Sequence, residues 1–161
     1  MKRKILLTGA SGRVSRGFLQ HNASAYQLRL ADINLEPLHS TSLLADCGIV
    51  DAELFELNTA DLESCQQACS GIDTVVHLAA DAGAGADFYE SLLENNIKGT
   101  YNIFRAAKDQ GCRRVIWASS IQAVAGYPLD VQVRTDMAPK PLNMYGAAKV
   151  FGEAMAHYFA Y

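Results

Sequence analysis

The feature of this sequence that most constrains its fold is the alternation of short apolar runs with longer segments whose apolar residues recur at helical spacing. Five of the apolar runs are bounded by glycine or polar residues and predict strands at residues 4–8, 27–32, 52–57, 74–79 and 114–119. Runs as continuous as these are typical of parallel strands, because helices cover both faces of a parallel sheet. The alternation therefore predicts an α/β fold built on a doubly wound parallel sheet.

Helices are predicted between the strands, at about residues 12–21, 61–70, 87–109 and from 143 to the end of the chain. Asp61 is suited to cap the second of these helices, and Gly71 and Gly111 are placed to end the second and third. A polar connection that contains Pro37 leads to the third strand. The longest irregular stretch, residues 122–142, is rich in proline and glycine, and long ordered loops are often functional.

Length and charge narrow the class of protein. The chain has 161 residues, the size of one domain, and half of them are apolar, so we expect a single globular domain. Fourteen Lys and Arg against 17 Asp and Glu give a net charge of −3, so no basic field exists to attract nucleic acid or an anionic membrane surface. No apolar stretch reaches the roughly 20 residues that cross a bilayer, and the run after the basic N-terminal residues is too short for a signal peptide. These observations favour a cytoplasmic protein that acts on a small molecule.

Cysteine and histidine spacing gives no sign of a metal site. Cys65 and Cys69 stand one turn apart in a predicted helix, and Cys47 and Cys112 are distant, so the four are interpreted as reduced packing thiols. His77 and His157 have no second ligand at metal spacing and are interpreted as packing or surface residues.

The first candidate site is the glycine-rich turn Thr8-Gly-Ala-Ser-Gly-Arg-Val-Ser15, between the first strand and the first helix. Glycines there let the backbone approach a pyrophosphate, and the helix N-terminus offers unpaired N–H groups to it. Asp32, at the end of the second strand, is placed to accept hydrogen bonds from an adenosine ribose, and this context predicts dinucleotide binding. Its carboxylate would repel a 2′-phosphate and so favours NAD over NADP, whereas Arg13 and Arg16 could pair with that phosphate and favour NADP.

The second candidate site combines Tyr145 and Lys149, whose i, i+4 spacing places both side chains on one face of the last helix. An unperturbed phenol titrates near pH 10, so a nearby cation is needed for tyrosine to act as an acid or base at neutral pH. Taken alone, the pair could equally be an exposed aromatic and a solvated lysine. Ser119 and Ser120 favour the catalytic interpretation, because they follow the fifth strand, where ligands bind in such sheets.

With these motifs in order along the chain, the sequence resembles the extended short-chain dehydrogenases/reductases, also called the NAD-dependent epimerase/dehydratase family, whose fold is Rossmann-like. The resemblance implies that the first turn, Asp32, the pair Asp61-Leu62 and the segment His77-Leu-Ala-Ala80 border the cofactor. It also implies that Asn96, in Asn-Ile-Lys-Gly-Thr100, braces the active site, and that Ser120, Tyr145 and Lys149 are catalytic. The cofactor-binding residues are then Gly9, Ser11, Gly12, Arg13, Val14, Asp32, Asp61, Leu62, Leu78, Ala79, Ala80, Asn96, Tyr145 and Lys149.

Within the family, the segments Trp117–Ser120, Gly126–Pro128 and Tyr145–Glu153 are most similar to the uronate dehydrogenases. That likeness implies oxidation of the anomeric carbon of a hexuronate to an aldarolactone, with hydride passing to NAD. Uronate dehydrogenases carry Asn-His after the serine where this chain has Ile121-Gln122, so Gln122 is expected to take over a polar substrate contact. Asp81 is equally a substrate contact or a solvated loop residue, and Ser15 occupies the place of the turn's third glycine. A nucleotide-sugar epimerase or dehydratase, or a non-catalytic NAD-binding protein, remains an alternative.

Family members continue past the tyrosine–lysine helix into a further strand and a small substrate-binding region. No such region follows Tyr161 in this sequence, so we expect residues 1–161 to be the cofactor-binding domain of a family member that is a fragment or truncated, or whose missing part comes from elsewhere. The resemblance also implies a homodimer formed through the two long helices.

Overall fold

The computed structural model describes residues 2–40, 42–83 and 85–160, and it confirms the predicted doubly wound α/β fold. The five strands are β1 (Lys4–Thr8), β2 (Gln27–Asp32), β3 (Ala52–Glu56), β4 (Thr74–His77) and β5 (Arg114–Trp117). They form one parallel sheet in the order β3-β2-β1-β4-β5. Strand β1 is central because its run Ile5-Leu-Leu7 is buried on both faces of the sheet.

The helices that connect the strands lie close to their predicted positions. They are α1 (Arg13–Asn22), α2 (Glu36–Ser40), α3 (Leu43–Asp46), α4 (Leu62–Cys69), α5 (Gly99–Asp109) and α6 (Met144–Phe159). Short 3₁₀ turns occupy Ala23–Ala25 and Ile121–Ala123, and a π-helix, Phe88–Lys98, runs directly into α5. Asp61 caps α4 as predicted, because its carboxylate accepts a hydrogen bond from the backbone N–H of Glu63.

Four details differ from the sequence expectations, one of which is that β5 ends at Trp117, two residues before the predicted end at residue 119. The connection predicted as a polar loop after β2 contains α2 and α3. The first half of the helix predicted at 87–109 is π-helical, so the N–H of Gly99 bonds to the carbonyl of Glu94, five residues back. Strand β4 ends at His77, two residues early, because the N–H groups of Leu78 and Ala79 turn toward the Thr8 hydroxyl. The predicted end of the last helix at Tyr161 lies outside the described residues.

Two apolar clusters, one on each face, hold the helices against the sheet. Leu6 and Val75 pack with residues of α4 and α5 on one face. Leu7 and Leu30 pack with α1, α2 and α3 on the other. Adjacent residues of β1 thus belong to opposite clusters, as the alternation of side chains along a strand requires. All four cysteines are free thiols, and Cys65 and Cys69 are buried in the first cluster.

The strand order reverses direction between β1 and β4. From β1 the chain moves outward through β2 and β3, then crosses back over the sheet to β4 on the other side. In open sheets of this kind, ligands bind beyond the carboxyl ends of the strands at such a reversal. Within residues 2–40, 42–83 and 85–160, no helix is long and apolar enough to cross a bilayer.

Candidate active site

The glycine-rich turn is closed tightly against the end of β4. Gly9 has φ +66°, and a Cβ there would lie 2.8 Å from the backbone nitrogen of Ala79. Only glycine meets both conditions without strain. Gly12 is the N-cap of α1 and supplies no side-chain cap, so the first N–H groups of that helix remain available to a ligand.

Ser15 explains how the chain tolerates a side chain where family members carry the third glycine. The residue is buried, and its Oγ donates a hydrogen bond to the carbonyl oxygen of Gly9 at 2.6 Å. This bond ties the first helical turn to the glycine turn. Gly17, the displaced glycine, is exposed on α1, and apart from the neighbouring backbone of its own helix no atom lies within 4 Å of the position its Cβ would take.

Asp32 lies at the carboxyl end of β2 and braces the same turn. One carboxylate oxygen accepts hydrogen bonds from the backbone N–H of Ser11 at 3.0 Å and from the Ser11 hydroxyl. The other accepts from the N–H of Ile33 at 2.8 Å. A carboxylate oxygen has more than one acceptor site, so the partly exposed Asp32 can still accept a ribose hydroxyl.

These elements enclose a cleft of about 360 Å³ at the reversal between β1 and β4. Eight residues that the sequence predicted for the cofactor or the substrate line it: Gly9, Ser11, Gly12, Asp32, Leu78, Ala79, Ala80 and Asp81. Thr8, which belongs to the predicted glycine-rich turn, also lines the cleft, and six further lining residues were not predicted: Ala31, Ile33, Leu57, Thr59, Ser91 and Asn95. Three of the six, Ala31, Ile33 and Leu57, lie at or directly after the carboxyl ends of β2 and β3, so the rule that ligands bind at strand carboxyl ends could have identified them.

Other predicted cofactor residues lie outside the lining of the cleft. Arg13 and Val14 are exposed on the first turn of α1, and the Val14 side chain is 66% exposed. The carboxylate of Asp61 caps α4, and Leu62 begins that helix. Arg16 is 3.7 Å from Asp46 of α3, in an exposed ion pair that competes with a role toward a phosphate.

Thr8 and His77 form a buried polar pair beneath the cleft. The Thr8 hydroxyl accepts the N–H groups of Leu78 and Ala79 at 3.2 Å each. Its one proton is therefore donated to His77 Nδ1, 2.7 Å away, which assigns the histidine's own proton to Nε2. His77 is fully buried, and its Nε2 has no hydrogen-bond partner. Burial, with a smaller contribution from the nearby charge of Lys149, lowers the pKa of His77 to about 3.

This depressed pKa predicts a loss of stability in mild acid. The unfolded chain protonates His77 near pH 6.5, whereas the folded chain does so only near pH 3. Below pH 6.5 the unfolded state therefore binds more protons, and the free energy of unfolding falls by up to about 1.4 kcal/mol per pH unit. Urea unfolding at pH 7.5, 6 and 5 measures this slope. In His77→Gln the slope between pH 6.5 and 5 should be smaller by about one proton, and an identical slope in both proteins would contradict the assignment.

Asp81 and Asn96 connect the cleft to the π-helix. The buried Asn96 side chain accepts from the backbone N–H of Asp81 and donates to its carbonyl oxygen, both at 2.8 Å. The Asp81 carboxylate accepts from the Ser91 hydroxyl and from the N–H of Gly83, and these bonds lower its pKa. Asn96 thus fixes the backbone of Asp81, and Asp81 lines the cleft.

Tyr145 and Lys149 face each other on α6, as their spacing predicted. The Lys149 ammonium lies 5.6 Å from the centre of the Tyr145 ring and donates a hydrogen bond to the carbonyl oxygen of Ala118 at 2.8 Å. The lysine is only 6% exposed, and burial lowers its pKa to about 8. A lysine this buried is not a solvated surface residue, so the alternative interpretation of Lys149 as a solvated lysine is excluded.

Ser120 and Gln122 belong to the 3₁₀ turn that follows β5, and this turn packs against α6. The Ser120 hydroxyl accepts the N–H of Gln122 at 3.2 Å and caps the 3₁₀ turn. Gln122 accepts from the Asn143 side chain at 3.0 Å, and Asn143 caps α6 by accepting the N–H of Gly146. A Cβ on Gly146 would lie 2.3 Å from the carbonyl oxygen of Gln122, so glycine permits this close approach. The turn that carries Ser120 and Gln122 is therefore fixed against the start of α6, at the residue that follows Tyr145 in the chain.

The predicted residues thus form two groups that share one end of the sheet. The first contains the glycine turn, Asp32 and the strand-end residues of the cleft, and the second contains Ser120, Gln122, Tyr145 and Lys149. Lys149 bonds to the Ala118 carbonyl, the Ala118 N–H bonds to the His77 carbonyl, and the His77 side chain bonds to Thr8 of the cleft lining, so the groups adjoin. Among the described residues, no group of three or more His, Cys, Asp or Glu side chains is arranged to hold a metal ion.

Comparison with known proteins agrees with this geometry. Residues 5–161 match the model of the NAD dependent epimerase/dehydratase family, and the chain therefore belongs to that family. An NAD-dependent glucose-6-phosphate dehydrogenase from Haloferax volcanii is 34% identical, over 99% of this chain and 63% of the relative. A uronate dehydrogenase from Pseudomonas putida is 28% identical, over 97% of this chain and 55% of the relative.

A solved structure shares the fold. The crystal structure of uronate dehydrogenase from Agrobacterium tumefaciens superposes with a TM-score of 0.82 at 28% identity, over 98% of this chain and 56% of that one. The chain therefore spans about half to three-fifths of the length of the relatives that it matches.

Proposed function

We propose that residues 1–161 form the NAD-binding domain of an oxidoreductase that acts on a sugar or sugar acid. The observation that carries the proposal is the junction of a glycine-turn cleft with a buried lysine that faces a tyrosine. The cleft fits a dinucleotide in its construction, because the first N–H groups of α1 have no side-chain cap and Asp32 retains acceptor capacity. In this proposal the N–H groups after Gly12 hold the pyrophosphate and Asp32 holds the adenosine ribose.

The second group supplies proton transfer. NAD, when bound, supplies the acceptor for a hydride. Tyr145 takes the proton of the substrate hydroxyl, and the neighbouring Lys149 ammonium favours the phenolate that this step requires. The Ser120 hydroxyl accepts a backbone N–H, so its own proton is free to bond the reacting oxygen. In this proposal the Lys149 ammonium also holds the nicotinamide ribose.

For the substrate, we propose a hexuronate that is oxidised at its anomeric carbon to an aldarolactone. The likeness to uronate dehydrogenases in sequence and in fold supports this class. Asp81 and Gln122 are the polar substrate contacts in this proposal, and Gln122 is held in place by Asn143. The glucose-6-phosphate dehydrogenase relative supports a sugar dehydrogenase in general rather than one sugar.

The choice of NAD over NADP is tested at Asp32. In Asp32→Ser we expect the affinity for NAD to fall about tenfold, because a charge-assisted hydrogen bond is lost. The affinity for NADP should rise, because the repulsion of a 2′-phosphate is removed. Calorimetric titration with both nucleotides measures the two changes, and Asp51→Ser, exposed at the opposite end of the sheet, is the matched control. An unchanged ratio of the two affinities would remove Asp32 from cofactor selection.

The experiment that tests the activity follows absorbance of NADH when the protein is mixed with NAD and either galacturonate or glucuronate. Net formation of NADH together with an aldarolactone is expected. Epimerisation of a nucleotide sugar without net NADH would instead assign the chain to the epimerases of its family. NAD binding with no reaction of any of these sugars would favour a non-catalytic NAD-binding protein.

A further inference from the structure

The Lys149 ammonium lies against two aromatic rings rather than one. It is 5.6 Å from the centre of the Tyr145 ring and 4.7 Å from the centre of the Trp117 ring, which belongs to β5. The nearer ring is thus the one that has no part in the proposed chemistry. A cation over an aromatic face is attracted by the ring quadrupole, most strongly over tryptophan and most strongly where water is excluded. Both conditions hold at Lys149, because the nearer ring is a tryptophan and because the buried ammonium is shielded from water.

The Trp117 ring is itself held in place by α6. A Cβ on Gly152 would lie 2.2 Å from Cζ2 of Trp117, so the ring occupies the space that any other residue would need. Residues on either side of the contact are also bonded across it. The Ala118 carbonyl accepts from Lys149, and the Ser119 hydroxyl donates to the carboxylate of Glu153. The end of β5 and the middle of α6 therefore fit together in one register.

We propose that Trp117 is a positioning residue that keeps the Lys149 ammonium charged and in place beside Tyr145. Its importance for catalysis rests on the proposed function, but the contact itself does not. Burial disfavours the charged form of Lys149. Two titratable side chains interact with Lys149: His77 on β4, which is neutral, and Tyr145, which lies on the same helix as Lys149. The indole face and the Ala118 carbonyl are then the groups that offset the cost of burying the charge.

The direct test is the pKa of Lys149 in the protein without cofactor or sugar. It is measured by NMR titration of the lysine side chains after reductive ¹³C-methylation, with the Lys149 signal assigned from Lys149→Met. In Trp117→Leu we expect this pKa to fall by about one unit, because the ring no longer stabilises the cation. Trp117→Phe keeps an aromatic face and should restore most of the shift. An unchanged or raised pKa in Trp117→Leu would mean that the tryptophan only excludes water, and would overturn the proposal.

A matched control is present in the chain. The Lys140 ammonium lies 5.3 Å from the centre of the Tyr127 ring, but Lys140 is exposed. Because this pair is exposed and makes no contact with Lys149, Tyr127→Leu should leave the pKa of Lys149 unchanged within about 0.2 units. A fall in the pKa of Lys149 as large as that in Trp117→Leu would show that the method reports general changes rather than the buried contact.

A second measurement does not depend on the folding of Trp117→Leu. Trp117 is the only tryptophan in the sequence, so its fluorescence reports directly on its surroundings. In the unmodified protein the emission should titrate with a midpoint near pH 8 as Lys149 loses its proton, and Lys149→Met should abolish that step. Emission that is flat from pH 7 to 9, or a step that persists in Lys149→Met, would overturn the contact. If the pKa behaves as expected but no sugar is oxidised, the proposed function fails and the positioning of Lys149 by Trp117 stands.

Discussion

Replacing Gly9 with alanine is expected to abolish detectable NAD binding and to destabilise the protein. The new Cβ would lie 2.8 Å from the Ala79 nitrogen and 3.0 Å from the Leu78 carbonyl carbon, and these are backbone atoms that cannot rotate away. The residue must also keep φ +66°, which costs a non-glycine residue about 1–3 kcal/mol. We expect the dissociation constant for NAD to rise at least about 100-fold, because the turn must open at the point where the pyrophosphate binds.

The measurements are urea unfolding for stability and calorimetric titration for binding. Gly17→Ala is the matched control, since Gly17 lies in α1 and its Cβ position meets no atom within 4 Å beyond the neighbouring backbone of its own helix. That variant should gain about 0.5–1 kcal/mol of stability, because alanine is the better helix former, and should bind NAD normally. Wild-type stability and affinity in Gly9→Ala would show that the turn is not closed against β4 as described.

Replacing Tyr145 with phenylalanine is expected to reduce the rate of sugar oxidation about 10²- to 10⁴-fold, the usual contribution of a positioned acid or base. The change removes one hydroxyl and keeps the ring, so the contact with Lys149 and the fold should persist. The affinity for NAD should therefore change by no more than about twofold, since the tyrosine is proposed to act on the substrate proton.

The rate is measured as NADH absorbance with the sugar that the unmodified protein oxidises, and affinity by calorimetry. Tyr158→Phe, on the exposed side of the same helix, serves as the control and should leave the rate unchanged. A Tyr145→Phe protein that turns over at the unmodified rate would remove the phenol from the mechanism. A parallel loss in Tyr158→Phe would point to damage of α6 instead.

The parts of the fold that follow from local pattern were predictable from the sequence. The strands β1, β2 and β5 begin where their apolar runs begin, and the N-cap of α4 is set by Asp61 and the residues after it. The reversal of strand order between β1 and β4 follows from the order of the strands and helices along the chain. For this reason the glycine turn and Asp32 could be placed at one end of the sheet.

Features that depend on contacts between distant residues could not be predicted. Strand β4 stops at His77 because its next N–H groups bond to a hydroxyl about 70 positions earlier in the chain. The tolerance of Ser15 depends on the Gly9 carbonyl being within reach of its Oγ. The second aromatic ring at Lys149 comes from β5, and no spacing in the sequence shows that Trp117 and Gly152 meet.

The most direct test of the central claim, that the cleft between β1 and β4 binds a dinucleotide, is calorimetric titration of the purified chain with NAD and with NADP. The proposal predicts saturable binding of NAD with one site per chain, weaker binding of NADP, and loss of the signal in Gly9→Ala. A folded protein that binds neither nucleotide, or a Gly9→Ala protein that binds NAD as well as the unmodified one, would contradict the claim.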